Sequence, residues 1–130
     1  MPQRDLYRSI SEVCVCLKTM QPTETPYEIT VAELAQLRTA GEPLTLLDVR
    51  EPWEVATAAI EGSINIPMGE LPARANELDP DKYIVVFCHH GARSLSVTAW
   101  MRREGFENVQ SMAGGIDQWS REIDNAVPMY

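Results

Sequence analysis

Cys88 opens the run CHHGARS, residues 88–94. Tyr83 to Phe87, apolar throughout, lead into the cysteine, and a helical pattern follows Arg93. A thiolate is a strong nucleophile, and it is favoured where oriented N–H groups and positive charge surround the sulfur. A thiol at the end of a buried strand, with a helix starting just beyond it, meets both conditions. The backbone N–H groups of residues 89 to 94 can point into one concave cradle at the positive end of that helix. Gly91 lets the loop curl through conformations that a side chain would obstruct. Arg93 adds a full charge and a fork of donors. Together these features favour Cys88 as thiolate and favour an anion bound above it.

Two chemistries suit such a cradle. One is phosphate or arsenate chemistry on a cysteine. The other is sulfur transfer, in which the thiolate takes a sulfane sulfur and holds it as a persulfide. In cysteine-based phosphatases five residues separate the cysteine from the arginine. Here four residues, His89 to Ala92, lie between Cys88 and Arg93, and the next position is Ser94. A loop one residue shorter encloses a smaller pocket, better matched to one added sulfur than to a tetrahedral phosphate. His89 and His90 could be metal ligands with Cys88. Adjacent side chains diverge, however, and the chain has no third histidine to complete a site. They are read as loop residues that expose their amides, with no metal and no cofactor expected.

The elements that must position this loop are legible in the pattern. ITVAELAQLRTAGEP has Thr30 at an N-cap position and Glu33 three residues later, a capping box. Ile29 and Leu34 sit as a hydrophobic staple, and Gly41 and Pro43 end the helix. LTLLDV (44–49) reads as a strand, EPWEVATAAI (51–60) as a short helix with Pro52 in its first turn, and SINIP (63–67) as a strand. MGELPARANEL (68–78) reads as two helical pieces around Pro72. KYIVVFC (82–88) is apolar on both faces, as a central parallel strand must be. RSLSVTAWMRREGF (93–106) is helical, with Arg102 and Arg103 at the negative end of its dipole. NVQSM (108–112) is a last strand, GGIDQWSREI (114–123) a last helix, and DNAVPMY a tail. Alternating strands and helices predict an α/β domain with a mainly parallel sheet of about five strands and helices on both faces.

The whole chain narrows the function further. Its 130 residues fit one domain with a real core. A net charge of −8 argues against nucleic acid, which demands positive charge to displace counterions, and against anionic membranes. No apolar run approaches a membrane span. Residues 1–26 read as an N-terminal extension ahead of a domain over 27–130. The short VCVCL run is no secretory signal, and Met20 could equally be a start. Three cysteines leave at least one thiol unpaired, which fits a reducing, cytoplasmic setting. Cys14 and Cys16 are read as plain thiols of the extension rather than as a sulfur relay.

Three ordered motifs carry a resemblance. LLDVREPWEVATAAIEGSINIP, CHHGARS and GFENVQSMAGGIDQW resemble, in that order, the N-terminal signature, active loop and C-terminal signature of single-domain rhodaneses, the thiosulfate sulfurtransferase-like family. REIDNAVPMY is similar to the ending of rhodanese domains fused to sulfur-carrier-activating enzymes, although no adenylating domain is read in these 130 residues. One departure is visible: the family often has a His-Ile pair where this chain has Ala59-Ile60.

The resemblance implies a role for each loop residue. Cys88 is nucleophile and persulfide carrier. His89, His90, Gly91, Ala92, Arg93 and Ser94 form the substrate-binding loop. Their amides stabilise the persulfide and the developing charge. Arg93 orients an anionic donor or ties the loop down. Asp48, Arg50 and Glu51 are read first as a buried network bracing a strand end, with Arg50 as a second cationic contact to substrate. Trp53, Trp100 and Trp119 are packing residues. The implied partners are a small anionic sulfur donor, a thiol or cyanide acceptor, and a sulfur-carrier or desulfurase protein. The alternatives are a sulfur-binding or sensing module with little turnover and, less favoured, a phosphatase or arsenate reductase.

Overall fold

The computed structural model describes residues 25–130. The extension, with Cys14, Cys16 and Met20, lies almost wholly outside the described residues.

Strands β1 (Glu28–Ile29), β2 (Thr45–Asp48), β3 (Ile64–Asn65), β4 (Ile84–Phe87) and β5 (Val109–Met112) form one sheet in the order β1-β5-β4-β2-β3. Every pairing is parallel. β4 is central and alternates between two cores. Ile84 and Val86 face a cluster with Leu47, Val97, Met101 and Val109. Val85 and Phe87 face one with Leu34, Leu46, Ile116 and Trp119. A strand buried on both faces must be apolar at every position, and all four residues of β4 are buried. Helix α4 (Ala92–Arg103) covers the first face, while α1 (Val31–Thr39) and α5 (Gly115–Glu122) cover the second.

The capping box of α1 is present, with Glu33 N–H donating to Thr30 Oγ1 at 3.0 Å and Thr30 N–H to Glu33 Oε1 at 2.9 Å. Other boundaries differ from the sequence expectation. Helix α2 runs over Pro52–Thr57 only, because Ala58 turns to extended backbone. The 68–78 stretch has three pieces: 3-10 turns at Met68–Glu70 and Ala75–Glu77 flank α3 (Leu71–Arg74). Pro72 does not divide them. It lies in the first turn of α3, where its missing N–H costs nothing. β1 has no counterpart in the sequence reading, since two residues carry no measurable period.

Arg102 does more than face a dipole: it donates to Val109 O, Thr25 O and Pro26 O, and it covers the Tyr27 ring. Trp119 is buried and Trp100 packs partly against the core. Trp53 departs from the packing expectation, being 64% exposed. No described helix is long and apolar enough to cross a membrane.

Candidate functional site

The parallel sheet places the C-terminal ends of β2, β4 and β5 along one edge, where ligands collect in open α/β folds. Cys88 follows β4 at that edge and is 1% exposed. Two backbone donors reach its sulfur: Gly91 N–H at 3.1 Å and Ser94 N–H at 3.3 Å. Ser94 Oγ lies 3.5 Å from the sulfur. The same hydroxyl reaches Gly91 O at 3.2 Å and shares a 2.7 Å bond with Ser111 Oγ from β5. Both serines are fully buried. The sulfur therefore faces two oriented main-chain N–H dipoles and lies beside the Ser94–Ser111 hydroxyl pair, whose Ser94 member donates to Gly91 O.

The loop bends because Gly91 adopts φ 109°, and α4 begins directly after it. Helix α5 locks the outer side. Ile116 N–H donates to Cys88 O at 2.9 Å and Asp117 N–H to His89 O at 3.1 Å. This approach is possible only at a glycine. A Cβ on Gly115, at φ 62°, would stand 2.3 Å from His89 O and 2.6 Å from Cys88 O.

Arg93 is the residue that ties the loop to the rest of the domain. Its two terminal nitrogens each lie 2.9 Å from an oxygen of Glu54, on α2. Glu54 is 4% exposed. The Arg93 guanidinium pulls its carboxyl down from 4.5 to about 2, with burial opposing and the Glu51 backbone and Tyr130 hydroxyl assisting. Tyr130 OH donates to Glu54 Oε2 at 2.9 Å and accepts from Arg50 Nη1 at 2.9 Å. Burial, first of all, pushes the Tyr130 phenol up, so it stays a donor.

Arg50 closes the network from behind. Its five N–H groups go to Asp48 Oδ1, Asp48 Oδ2, Glu54 O, Ala58 O and Tyr130 OH. It is fully buried. This placement matches the bracing role and leaves the guanidinium no donor for a substrate. Asn65 adds to the brace by donating to Asp48 O and Arg50 O, each at 3.0 Å.

The two histidine rings do not diverge as the sequence reading expects. Their centroids are 3.9 Å apart. His89 also stacks flat on Tyr130, with centroids 3.9 Å apart and planes 5° from parallel. The stack accounts for the placement of His89, whose ring lies on the flat face of Tyr130.

The structure thus brings Cys88, His89, His90, Gly91, Ala92, Arg93 and Ser94 together in one loop, and sets Arg50 behind it. Glu54, Tyr130, Ser111 and Gly115 were not foreseen. A buried Glu in the first turn of a helix that follows DVR was the one available sequence signal among them.

The family model described as a rhodanese-like domain matches residues 30–122. A sulfurtransferase of Allochromatium vinosum is 34% identical over 94 residues, covering 72% of this chain and 88% of the relative. A putative sulfurtransferase of Bacillus subtilis, YtwF, is 39% identical over 95 residues, covering 73% and 91%. Among solved structures, the human single-domain sulfurtransferase TSTD1 superposes with a TM-score of 0.68 at 27% identity, over 75% of this chain and 98% of that one.

Proposed function

The chain belongs to the rhodanese-like domain family, and from that membership we propose that it is a sulfurtransferase whose Cys88 carries the transferred sulfur as a persulfide. The observation that carries this reading is the pair of main-chain N–H groups, from Gly91 and Ser94, aimed at Cys88 Sγ. One relative is named a sulfurtransferase and another a putative one, which supports the same chemistry.

The reaction balances as two displacements at sulfur. Cys88 thiolate attacks the outer sulfur of a donor. A new S–S bond forms, the donor's own bond to that sulfur breaks, and the leaving group departs with the electron pair as sulfite or a thiolate. An acceptor thiolate, or cyanide, then attacks the outer persulfide sulfur, and Cys88 leaves as thiolate. No net oxidation occurs, and ping-pong kinetics follow. The amide cradle stabilises charge on whichever sulfur carries it. The Ser94 hydroxyl can turn from Gly91 O toward Cys88 Sγ as charge returns to it.

Thiosulfate and small persulfides are the donors that suit the loop's size, and a protein thiol or sulfur carrier can present the acceptor. A reducing, cytoplasmic setting keeps Cys88 free for this role. Exposure to a panel of donors, followed by intact mass, tests the reading: one labile sulfur on the wild type and none on Cys88→Ser supports it. An adduct retained by Cys88→Ser removes Cys88 from the mechanism.

A further inference from the structure

His89 and His90 lie side by side at the outer side of the loop, and Asp117 comes to meet them from the first turn of α5. One ligand atom from each of the three residues lies within 4.8 Å of the other two. The segments carrying them are already joined, since Asp117 N–H donates to His89 O at 3.1 Å. A second observation is independent of that proximity. His89 Nε2 is buried and has no hydrogen-bond partner among the described residues. A buried ring nitrogen without a partner calls for an explanation. The Tyr130 stack occupies the face of the ring and leaves Nε2 at its edge unaccounted for.

We propose that His89, His90 and Asp117 form a binding site for a divalent cation of the zinc class, held at the rim of the Cys88 loop. Two imidazoles and one carboxylate are a donor set that zinc accepts, with a further position left open. Two ligands on a tetrahedral zinc stand about 3.4 Å apart, given bonds of about 2.1 Å. The observed spread of up to 4.8 Å therefore closes by up to about 1.4 Å. His90 is exposed and Asp117 half-buried, so side-chain rotation supplies that movement without disturbing the core. The competing group is Arg121, whose Nε lies 3.1 Å from Asp117 Oδ2. Its side chain is 61% exposed, and an exposed pair of this kind is weak. The cation displaces it or shares the carboxylate through the other oxygen. The site itself stands whether or not Cys88 carries sulfur.

The test is calorimetric titration of Zn²⁺ into the reduced full chain carrying Cys14→Ser and Cys16→Ser, which removes those competing thiols. One Zn²⁺ per chain is expected. His90→Ala and Asp117→Asn should each weaken binding about tenfold or more. Arg121→Gln should tighten it, because the carboxylate loses its competitor. Cys88→Ser should leave it unchanged. Thermal melts of each variant confirm that the fold is intact; His90 and Arg121 are exposed, so their replacement leaves the core alone. Binding that persists in both His90→Ala and Asp117→Asn, or that disappears in Cys88→Ser, overturns the site, as does the absence of any saturable binding.

Discussion

Arg93 grips Glu54 with both terminal nitrogens, each 2.9 Å from a carboxylate oxygen. The bond joins the start of α4 to α2 and makes the loop arginine a structural anchor. A fork-to-fork pair of this kind spends the charge of Arg93 on an internal partner. The N–H groups of the loop then supply the field felt by the sulfur.

Replacing Arg93 should accordingly harm all donors alike. For Arg93→Ala, kcat/KM is expected to fall by a similar factor for a dianionic donor such as thiosulfate and for a less charged small persulfide. Steady-state kinetics with the two donors make the comparison. A loss confined to thiosulfate would make Arg93 a donor-binding cation instead.

The Glu54 carboxyl gives a pH signature. Its folded-state value of about 2 lies below the 4.5 of a free glutamate. Protonation therefore favours the unfolded chain. The stabilisation is complete above about pH 4.5 and is lost as the pH falls toward 2. Arg93 is partly exposed, which screens the pair, so about 1–2 kcal/mol is expected at neutral pH. Denaturant titrations of wild type and Glu54→Gln should differ by that amount at pH 7 and converge in acid. Equal stability at pH 7 would contradict the assignment.

Tyr130 separates hydroxyl from ring. Tyr130→Phe keeps the stack on His89 and loses both hydroxyl bonds, a cost of about 1 kcal/mol. Tyr130→Ala also loses the stack and should cost roughly 2–3 kcal/mol. Urea midpoints for the two variants should fall in that order. Indistinguishable midpoints would remove the stack from the account.

Gly115 should tolerate no side chain. In Gly115→Ala the new methyl meets the carbonyls of His89 and Cys88 at a positive φ, and a loss of about 2–4 kcal/mol is expected. Gly41 also has a positive φ, yet a Cβ there meets nothing within 4 Å. Gly41→Ala should cost only about 1 kcal/mol. Thermal melts of both variants check the contrast.

What the sequence made legible was local. The capping box at Thr30 and Glu33, the fully apolar β4 and the Cys88 loop each lie within one short stretch. The capping box is a contact between near neighbours, and the burial of β4 on both faces is written in its own unbroken apolar run, although its pairing partners β2 and β5 are distant in sequence. The partners of the loop are not local. Glu54 is 39 residues from Arg93, and Tyr130 is 76 from Glu54. An acidic residue in a helix and a tyrosine in a tail look like surface features until the fold buries them together. The histidines show the same limit. Neighbouring side chains diverge on average, but here the His89 ring stacks on Tyr130 and also lies 3.9 Å from the His90 ring. For Arg50 the DVR context suggested both a brace and a second cationic contact to substrate; all five of its donors are engaged inside the domain, which leaves none for that contact.

The central claim is that Cys88 carries the sulfur, and intact mass spectrometry tests it most directly. Wild type, Cys88→Ser and the Cys14→Ser/Cys16→Ser double variant are each incubated with thiosulfate or a small persulfide, then measured before and after reduction. The account predicts one added sulfur, removed by a reducing thiol, on wild type and on the double variant, and none on Cys88→Ser. A labile sulfur on Cys88→Ser, or its loss from the double variant alone, would contradict it.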